Sequence, residues 1–376
     1  MAAEQTVSPA GGSAAETGRP VLIVDAETLG QQRPFLQHLL VGLAAESSCP
    51  ALVCPPGFDA DLMPVGPVEV VTHPVFRTIL LWRENFRKLL AALEKFKPTV
   101  LHCLSGRQAN LTRQIAEHLD LPYVATVNSL AARAVKYRLL VKSCAAVIAP
   151  TRAIARHIAE RYPALSGRVT QINMGTFVEE TCACFSRPGR MPSVLVLHQL
   201  TAAEDFEPLL GAFRHLLIDG YELTAAIIGA GRAESRLRRL LKDLGLAGAV
   251  SIVGPVQPLR AVFIGADILV RPRPVLSFDA SLIEAMSVGL AVAGCQGGVD
   301  DLLVDNQTAV VFEPQDEFTI YSALQKLLGR REFARRIATA GQLQIRAEYS
   351  VSKMVSAHLQ VYQHAQQWYK STSGLS

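Results

Sequence analysis

Between Arg271 and Gly298 the chain reads "RPRPVLSFDASLIEAMSVGLAVAGCQGG", a stretch whose residue types could do chemistry. Glu284 is a lone carboxylate among Leu282, Ile283, Ala285 and Met286. A carboxylate is seldom buried unless it is paired or hydrogen-bonded. On a helix facing a cleft it would accept hydrogen bonds from ligand hydroxyls; the competing reading is a surface position on an amphipathic turn. Arg271 and Arg273 follow the apolar run "ADILV". Ligands bind beyond the carboxyl ends of parallel strands, and a guanidinium fork matches the oxygens of a phosphate. Ion pairs at the rim of the sheet would use the same residues.

A second signal is "AAIIGAGRAESRLRRLLKDLG", a buried strand running through Gly229 and Gly231 into a helix. Glycines there let a backbone approach a phosphate at a helix N-terminus; a plain tight turn needs them equally. The arginines at 232, 236, 238 and 239 read as a solvated helix face. "FRTILLWRENFRKLLAALEKFKP" sets basic residues around Ile79, Trp82, Phe86, Leu89, Leu90, Leu93 and Phe96. That pattern fits a core-packed helix with a basic outer face better than a helix lying on a membrane surface.

These residues need a scaffold, and the rest of the chain predicts one. Strands at Val21–Asp25, Ala51–Cys54, Val68–Val71, Thr99–His102, Tyr123–Val127, Ala145–Ala149 and Val169–Ile172 alternate with amphipathic helices, one of them capped by Thr151. "TFVEETCACFSRPGRMPS" breaks the pattern. Alternation resumes with strands at Ser193–His198, Thr224–Ile228, Ser251–Val253, Ile268–Val270, Ala291–Ala293 and Ala309–Phe312, and three helices close the chain. Continuous apolar strands between helices mean parallel sheets covered on both faces. The expected division is a disordered tail over 1–18, a first domain over 19–178 and a linker over 179–192. A second domain over 193–350 follows, then a helix over 351–376 returning to the first domain. The cleft between two such domains is the default ligand site.

A length of 376 residues suits two domains, and 49% hydrophobic with 19% charged residues supports a large core. The net charge of +4 is compatible with an anionic ligand and does not single out nucleic acid. Seven scattered cysteines read as reduced and buried, and Cys182-Ala-Cys184 is too close and solitary for a zinc site. The N-terminus lacks a signal-peptide pattern, and no apolar run is long enough to span a membrane.

In order, these pieces resemble the second domain of the retaining glycosyltransferases of family 4 (group 1). The resemblance runs nearly gap-free from Val194 to about Phe312. It is carried by "IIGAGRAESRLRRLLKDLGLAGAVSIVGPV" and "ADILVRPRPVLSFDASLIEAMSVGLAVAGCQGGVDDLL". More loosely, "AAVIAPTRAIARHIAERYP" followed by "VTQINMGTF" is similar to the end of the family's first domain. The resemblance implies the α/β GT-B fold: two Rossmann-like, doubly wound parallel-sheet domains facing a cleft, with C-terminal helices. It implies retaining transfer of a sugar from a nucleotide diphosphate sugar to a glycan or lipid-linked acceptor. No resident cofactor and no obligatory metal are expected, nor a nucleic-acid partner. The expected location is the cytoplasm, with peripheral contact at the inner membrane face.

The family's donor site carries two glutamates separated by seven residues. Glu284 matches the second, which contacts the ribose, and Leu276 stands at the first. The family's diphosphate-holding Arg and Lys correspond to Gln199 and Glu204 in "HQLTAAED". Arg271 and Arg273 are therefore candidate substitutes for the cations, and Asp279 for the first glutamate. Gly229 and Gly231 would shape the donor loop, and Gly297 and Gly298 would admit backbone N–H groups to sugar or phosphate. His102 in "LHCLSG" is the catalytic candidate of the first domain, with a satisfied core histidine as the alternative. Asn128 lies where a His is common, and "DAETLGQQR", with the single Gly30, replaces a glycine-rich acceptor loop. A fold retained without catalysis, acting as a nucleotide-sugar sensor or assembly partner, is the rival reading.

Overall fold

The computed structural model describes residues 18–56, 68–73, 79–130, 140, 143–299 and 301–373; the expected tail lies outside them except for Gly18. The first sheet comprises β1 (Pro20–Ile23), β2 (Ala51–Cys54), β3 (Glu69–Thr72), β4 (Val100–Cys103), β5 (Tyr123–Thr126), β6 (Ala146–Ala149) and β7 (Val169–Gln171). Its order is β3-β2-β1-β4-β5-β6-β7, parallel throughout. The second comprises β8 (Ser193–Leu197), β9 (Thr224–Ile228), β10 (Val250–Val253), β11 (Ile268–Arg271), β12 (Ala291–Cys295) and β13 (Val310–Phe312). Its order is β10-β9-β8-β11-β12-β13, again parallel. The central strands β1, β4, β11 and β12 are buried along their whole length, as sheets covered by helices on both faces require.

The first sheet is flanked by α1 (Ala26–Gln31), α2 (Arg33–Ala45), α3 (Ile79–Phe96), α4 (Ala109–Leu119) and α5 (Arg152–Arg161). In α3, Phe86, Leu89, Leu93 and Phe96 are buried while Arg87 and Lys88 stand in solvent beside Glu84, so this is a core-packed helix with a charged outer face. The second sheet is flanked by α6 (Glu207–Ile218), α7 (Glu234–Asp243), α8 (Leu259–Ile264), α9 (Ala280–Ser287), α10 (Glu317–Gly329) and α11 (Arg331–Glu348). The last helix, α12 (Val351–Ser373), lies against the first domain. There Tyr369 Oη donates to Asp120 at 2.7 Å, and the Arg168 guanidinium sits 5.9 Å from the Trp368 ring centre. Thr151 caps α5 by accepting from the Ile154 N–H at 3.2 Å.

The segment "DAETLGQQR" contains α1, because Asp25 accepts from the Thr28 N–H at 2.7 Å and starts a helix directly after β1.

The two domains also touch directly across the cleft. The Leu130 N–H donates to the Leu276 carbonyl at 2.8 Å and the Phe278 N–H to the Asn128 carbonyl at 2.7 Å. Between them the Ser277 hydroxyl donates to Ser129 at 2.7 Å. Val299 is buried among first-domain apolar residues, and the Arg152 N–H donates to Asp301 at 2.5 Å.

Candidate functional site

In the second sheet the chain winds one way from β8 to β9 and the other way from β11 to β12, so the crevice lies beyond the ends of β8 and β11. His198 leaves the end of β8, Arg271 ends β11, and Arg273 follows two residues on. The structure gathers all three around two carboxylates. Arg271, its side chain 5% exposed, lies 3.5 Å from Asp279. Arg273 Nε is 3.4 Å from Asp205, whose other oxygen is 4.0 Å from His198 Nε2. The His198 ring meets Phe206 edge-on at 5.5 Å. Burial holds the His198 pKa below its ordinary value; Asp205 opposes this, and Arg273 and Arg271 reinforce it. The cluster is a pair of guanidiniums and an imidazole at a strand-end crevice, suited chemically to the oxygens of a phosphate or diphosphate.

The helix α9 starts from Asp279, which accepts from the Ser281 N–H at 3.0 Å and its hydroxyl at 2.6 Å. Asp279 is thus both a helix cap and a partner of Arg271. Helix α9 is buried nearly all round, which turns Glu284 inward rather than onto a surface turn. Glu284 Oε1 accepts from the Thr176 hydroxyl, and Oε2 lies 3.3 Å from Arg260 Nη1. A carboxylate offers about four acceptor positions, and these contacts use two of them. Nearby, His38 Nδ1 of α2 donates to the Gly175 carbonyl at 3.0 Å, and the ring meets Phe177 edge-on at 4.9 Å. Burial lowers the His38 pKa.

The glycines divide. A Cβ on Gly229 would lie 2.1 Å from the His198 carbonyl oxygen, and one on Gly231 2.2 Å from that of Leu200. Close approach of two strand-end loops therefore accounts for both without any ligand. Gly297 has φ +88°, open surroundings and solvent exposure, and Gly298 beside it is half-buried. Gln199 is exposed next to the cluster. Glu204 turns away to Arg236 of α7, at 2.5 Å. Leu276 is 53% exposed in the loop that bridges to residues 128–130.

His102 requires a correction. It is the third residue of β4 and is fully buried; Nδ1 lies 2.7 Å from Tyr362 Oη and Nε2 2.8 Å from Thr126 Oγ1. Its ring is 5.6 Å from that of His358. Burial, reinforced by His358, holds its pKa well below the usual range. Both nitrogens are engaged inside the core, so no substrate reaches them. A cavity of about 570 Å³ lies elsewhere, between the N-terminal ends of β1 and β4 and helix α12, and no residue of the candidate site lines it.

Sequence reasoning missed His198, Asp205, Arg260, Thr176 and Glu179. His198 was placed inside a strand that ends one residue earlier. Arg260 and Thr176 lie 24 and 108 residues from Glu284 and carry no motif of their own. Among the described residues no group of three or more His, Cys, Asp or Glu is arranged to hold a metal, and no helix is long and apolar enough to cross a membrane.

Two facing parallel-sheet domains with helices closing the chain define the GT-B architecture, and solved structures share it. A glycosyltransferase from Rickettsia africae ESF-5 superposes with a TM-score of 0.79 at 14% identity, covering 93% of this chain and 99% of that one. Anabaena Alr3699/HepE, in complex with UDP and glucose, superposes at 0.76 and 12% identity, covering 92% and 99%. The family assignment is more specific. Residues 35–180 match Glycosyltransferase Family 4, and residues 192–330 match Glycosyl transferases group 1. The chain belongs to the family 4 (group 1) glycosyltransferases. Among curated relatives, the GDP-mannose-dependent alpha-(1-6)-phosphatidylinositol monomannoside mannosyltransferase of Mycobacterium tuberculosis is 27% identical over 175 residues, 43% of this chain and 45% of the relative. The match thus spans less than half of that enzyme's length. A glycogen synthase of M. tuberculosis is 22% identical over 294 residues, covering 73% and 71%.

Proposed function

We propose that the protein transfers a hexosyl group, with retention, from a nucleoside diphosphate sugar to a hydroxyl of a glycan or lipid-linked acceptor. The observation that carries this reading is the convergence of Arg271, Arg273 and His198 at the β8/β11 crevice, next to the helix holding Glu284. In this reading Glu284 accepts from the ribose hydroxyls. The guanidiniums face the diphosphate, and the backbone at Gly297 and Gly298 lies open toward sugar or phosphate. The bond from the anomeric carbon to the diphosphate oxygen breaks, and its electron pair stays on that oxygen. The acceptor oxygen bonds to the same face of the carbon and gives up its proton to the leaving diphosphate. Fixed cations where that charge develops lower the barrier; losing one such donor commonly costs about 10²–10³ in rate. Lipid acceptors are named for the mannosyltransferase relative; extending them to this chain rests on the family alone. Peripheral contact with a membrane would fall to the basic face of α3, where Leu81 is also exposed.

A second reading, a nucleotide-sugar sensor or assembly partner without transfer activity, is favoured by one observation. Leu276, at the position of the family's first glutamate, is tied through its carbonyl to Leu130 across the cleft. A panel of nucleotide sugars separates the readings. Saturable binding with release of nucleoside diphosphate in the presence of an acceptor is expected for the enzyme. Binding without release would establish the sensor. Neither binding nor release with any donor would reject both.

A further inference from the structure

We propose that Arg260 is a positioning residue that holds Glu284 in the orientation needed to accept a ribose diol, and that Glu179 locks it there. The inference rests on the reading of Glu284 given above and extends it to residues outside the family's signature.

Glu284 is a charge in a buried place, 8% exposed at its side chain. An anion there needs a donor set that survives desolvation. The Thr176 hydroxyl supplies one donor and Arg260 supplies the other from the opposite oxygen. Arg260 is not a loose surface arginine. Its Nε and Nη2 both donate to one oxygen of Glu179, at 3.1 and 2.7 Å, and its Nη1 also donates to the Ser287 hydroxyl at 3.2 Å. Glu179 is anchored in turn. Its N–H donates to the Ser287 carbonyl at 3.0 Å, and its own carbonyl accepts from Gln342 at 3.0 Å and Arg346 at 2.8 Å. A chain of hydrogen bonds therefore runs from α11 through the linker to the carboxylate of α9. With Arg260 on one oxygen and Thr176 on the other, about two acceptor positions remain on Glu284, one per oxygen, the number a cis diol needs. A planar guanidinium fixed at three donors can hold that geometry; an ammonium on a flexible stem cannot do so equally well.

The test compares nucleotides that differ only at the ribose. UDP and 2′-deoxy-UDP, and GDP and 2′-deoxy-GDP, are titrated against the wild type, Arg260→Gln, Arg260→Lys and Glu179→Gln. A hydroxyl bonded to a charged acceptor is worth about tenfold in affinity, so the wild type should prefer the ribonucleotide by about tenfold. Arg260→Gln should collapse that preference to about threefold or less, Arg260→Lys should restore part of it, and Glu179→Gln should weaken it less than Arg260→Gln. Equal weakening of both nucleotides, or no change in either, would overturn the inference. If Arg260→Gln does not fold, an unchanged preference in Glu179→Gln would overturn it instead. A wild type that binds nucleotide without preferring ribose would show that the reading of Glu284 itself has failed.

Discussion

His102 and His198 lie in equivalent halves of the molecule, each associated with a central strand beside a reversal of sheet order, yet they do opposite things. His102 is inside β4, with strands paired on both sides, so its ring enters the core and meets Tyr362 of a helix that arrives from the chain's far end. His198 comes one residue after β8 ends, where its half-buried side chain meets Phe206 edge-on, and it shares a carboxylate with Arg273. The lesson concerns what remains to be satisfied. Every polar atom of the His102 ring is already paired inside the protein, so the group stabilises the fold. Around His198 the ion pairs span 3.4 to 4.0 Å, and Arg273 and Asp205 keep part of their side chains exposed at the crevice while Arg271 is buried.

The sharpest way to break this contrast is to remove the cations from the open cluster. Arg271→Ala with Arg273→Ala should lower turnover by at least about 10²–10³ and weaken nucleoside diphosphate affinity, measured by product release and titration calorimetry. Unchanged values would detach the cluster from function.

The closed cluster should respond to acid instead. Burial pushes the His358 pKa down to about 4 and holds His102 well below its ordinary value. The unfolded chain therefore binds the protons first. The stabilising contribution is complete above the unfolded value of about 6.5 and is lost as pH falls from there toward the folded value. For His358 alone the loss is on the order of 3 kcal/mol, visible as a falling midpoint in denaturant unfolding across that window. A midpoint that stays flat over the same range would contradict the burial of these rings.

His102→Ala should cost about 2 kcal/mol of stability by leaving the Tyr362 and Thr126 hydroxyls unpaired, while nucleotide affinity measured below the melting temperature stays at the wild-type value. A selective loss of turnover in a stably folded variant would return His102 to the reaction. The smallest effect belongs to Gly297, where a side chain is strained by φ +88° although nothing crowds it. Gly297→Ala should cost about 1 kcal/mol by thermal unfolding, with any further loss in nucleotide-sugar affinity reporting on the backbone at the crevice.

Much of this was legible before the structure. Alternating apolar runs and amphipathic helices predict both sheets because burial on two faces writes itself into each strand. Glu284, Arg271 and Arg273 stand out because a charge in an apolar run needs a reason. What could not be read was mutual position. Nothing local tells that Thr176 and Arg260 meet on Glu284, or that Asp205 joins His198 to Arg273. Asp279 teaches a different point: a candidate for chemistry by its position, it is a helix cap whose signal lies in the next few residues. Gly229 and Gly231 likewise satisfy a packing demand between loops that resembles a phosphate motif in sequence.

The central claim is that the β8/β11 crevice with Glu284 holds a nucleoside diphosphate. Its most direct test is thermal unfolding of the wild type and Glu284→Gln with UDP, GDP and ADP, each over a range of concentrations. At least one nucleotide should raise the wild-type melting temperature in a concentration-dependent way, and Glu284→Gln should need about tenfold more for the same shift. A wild type that none of the three stabilises, or a variant stabilised equally at equal concentration, would contradict the account.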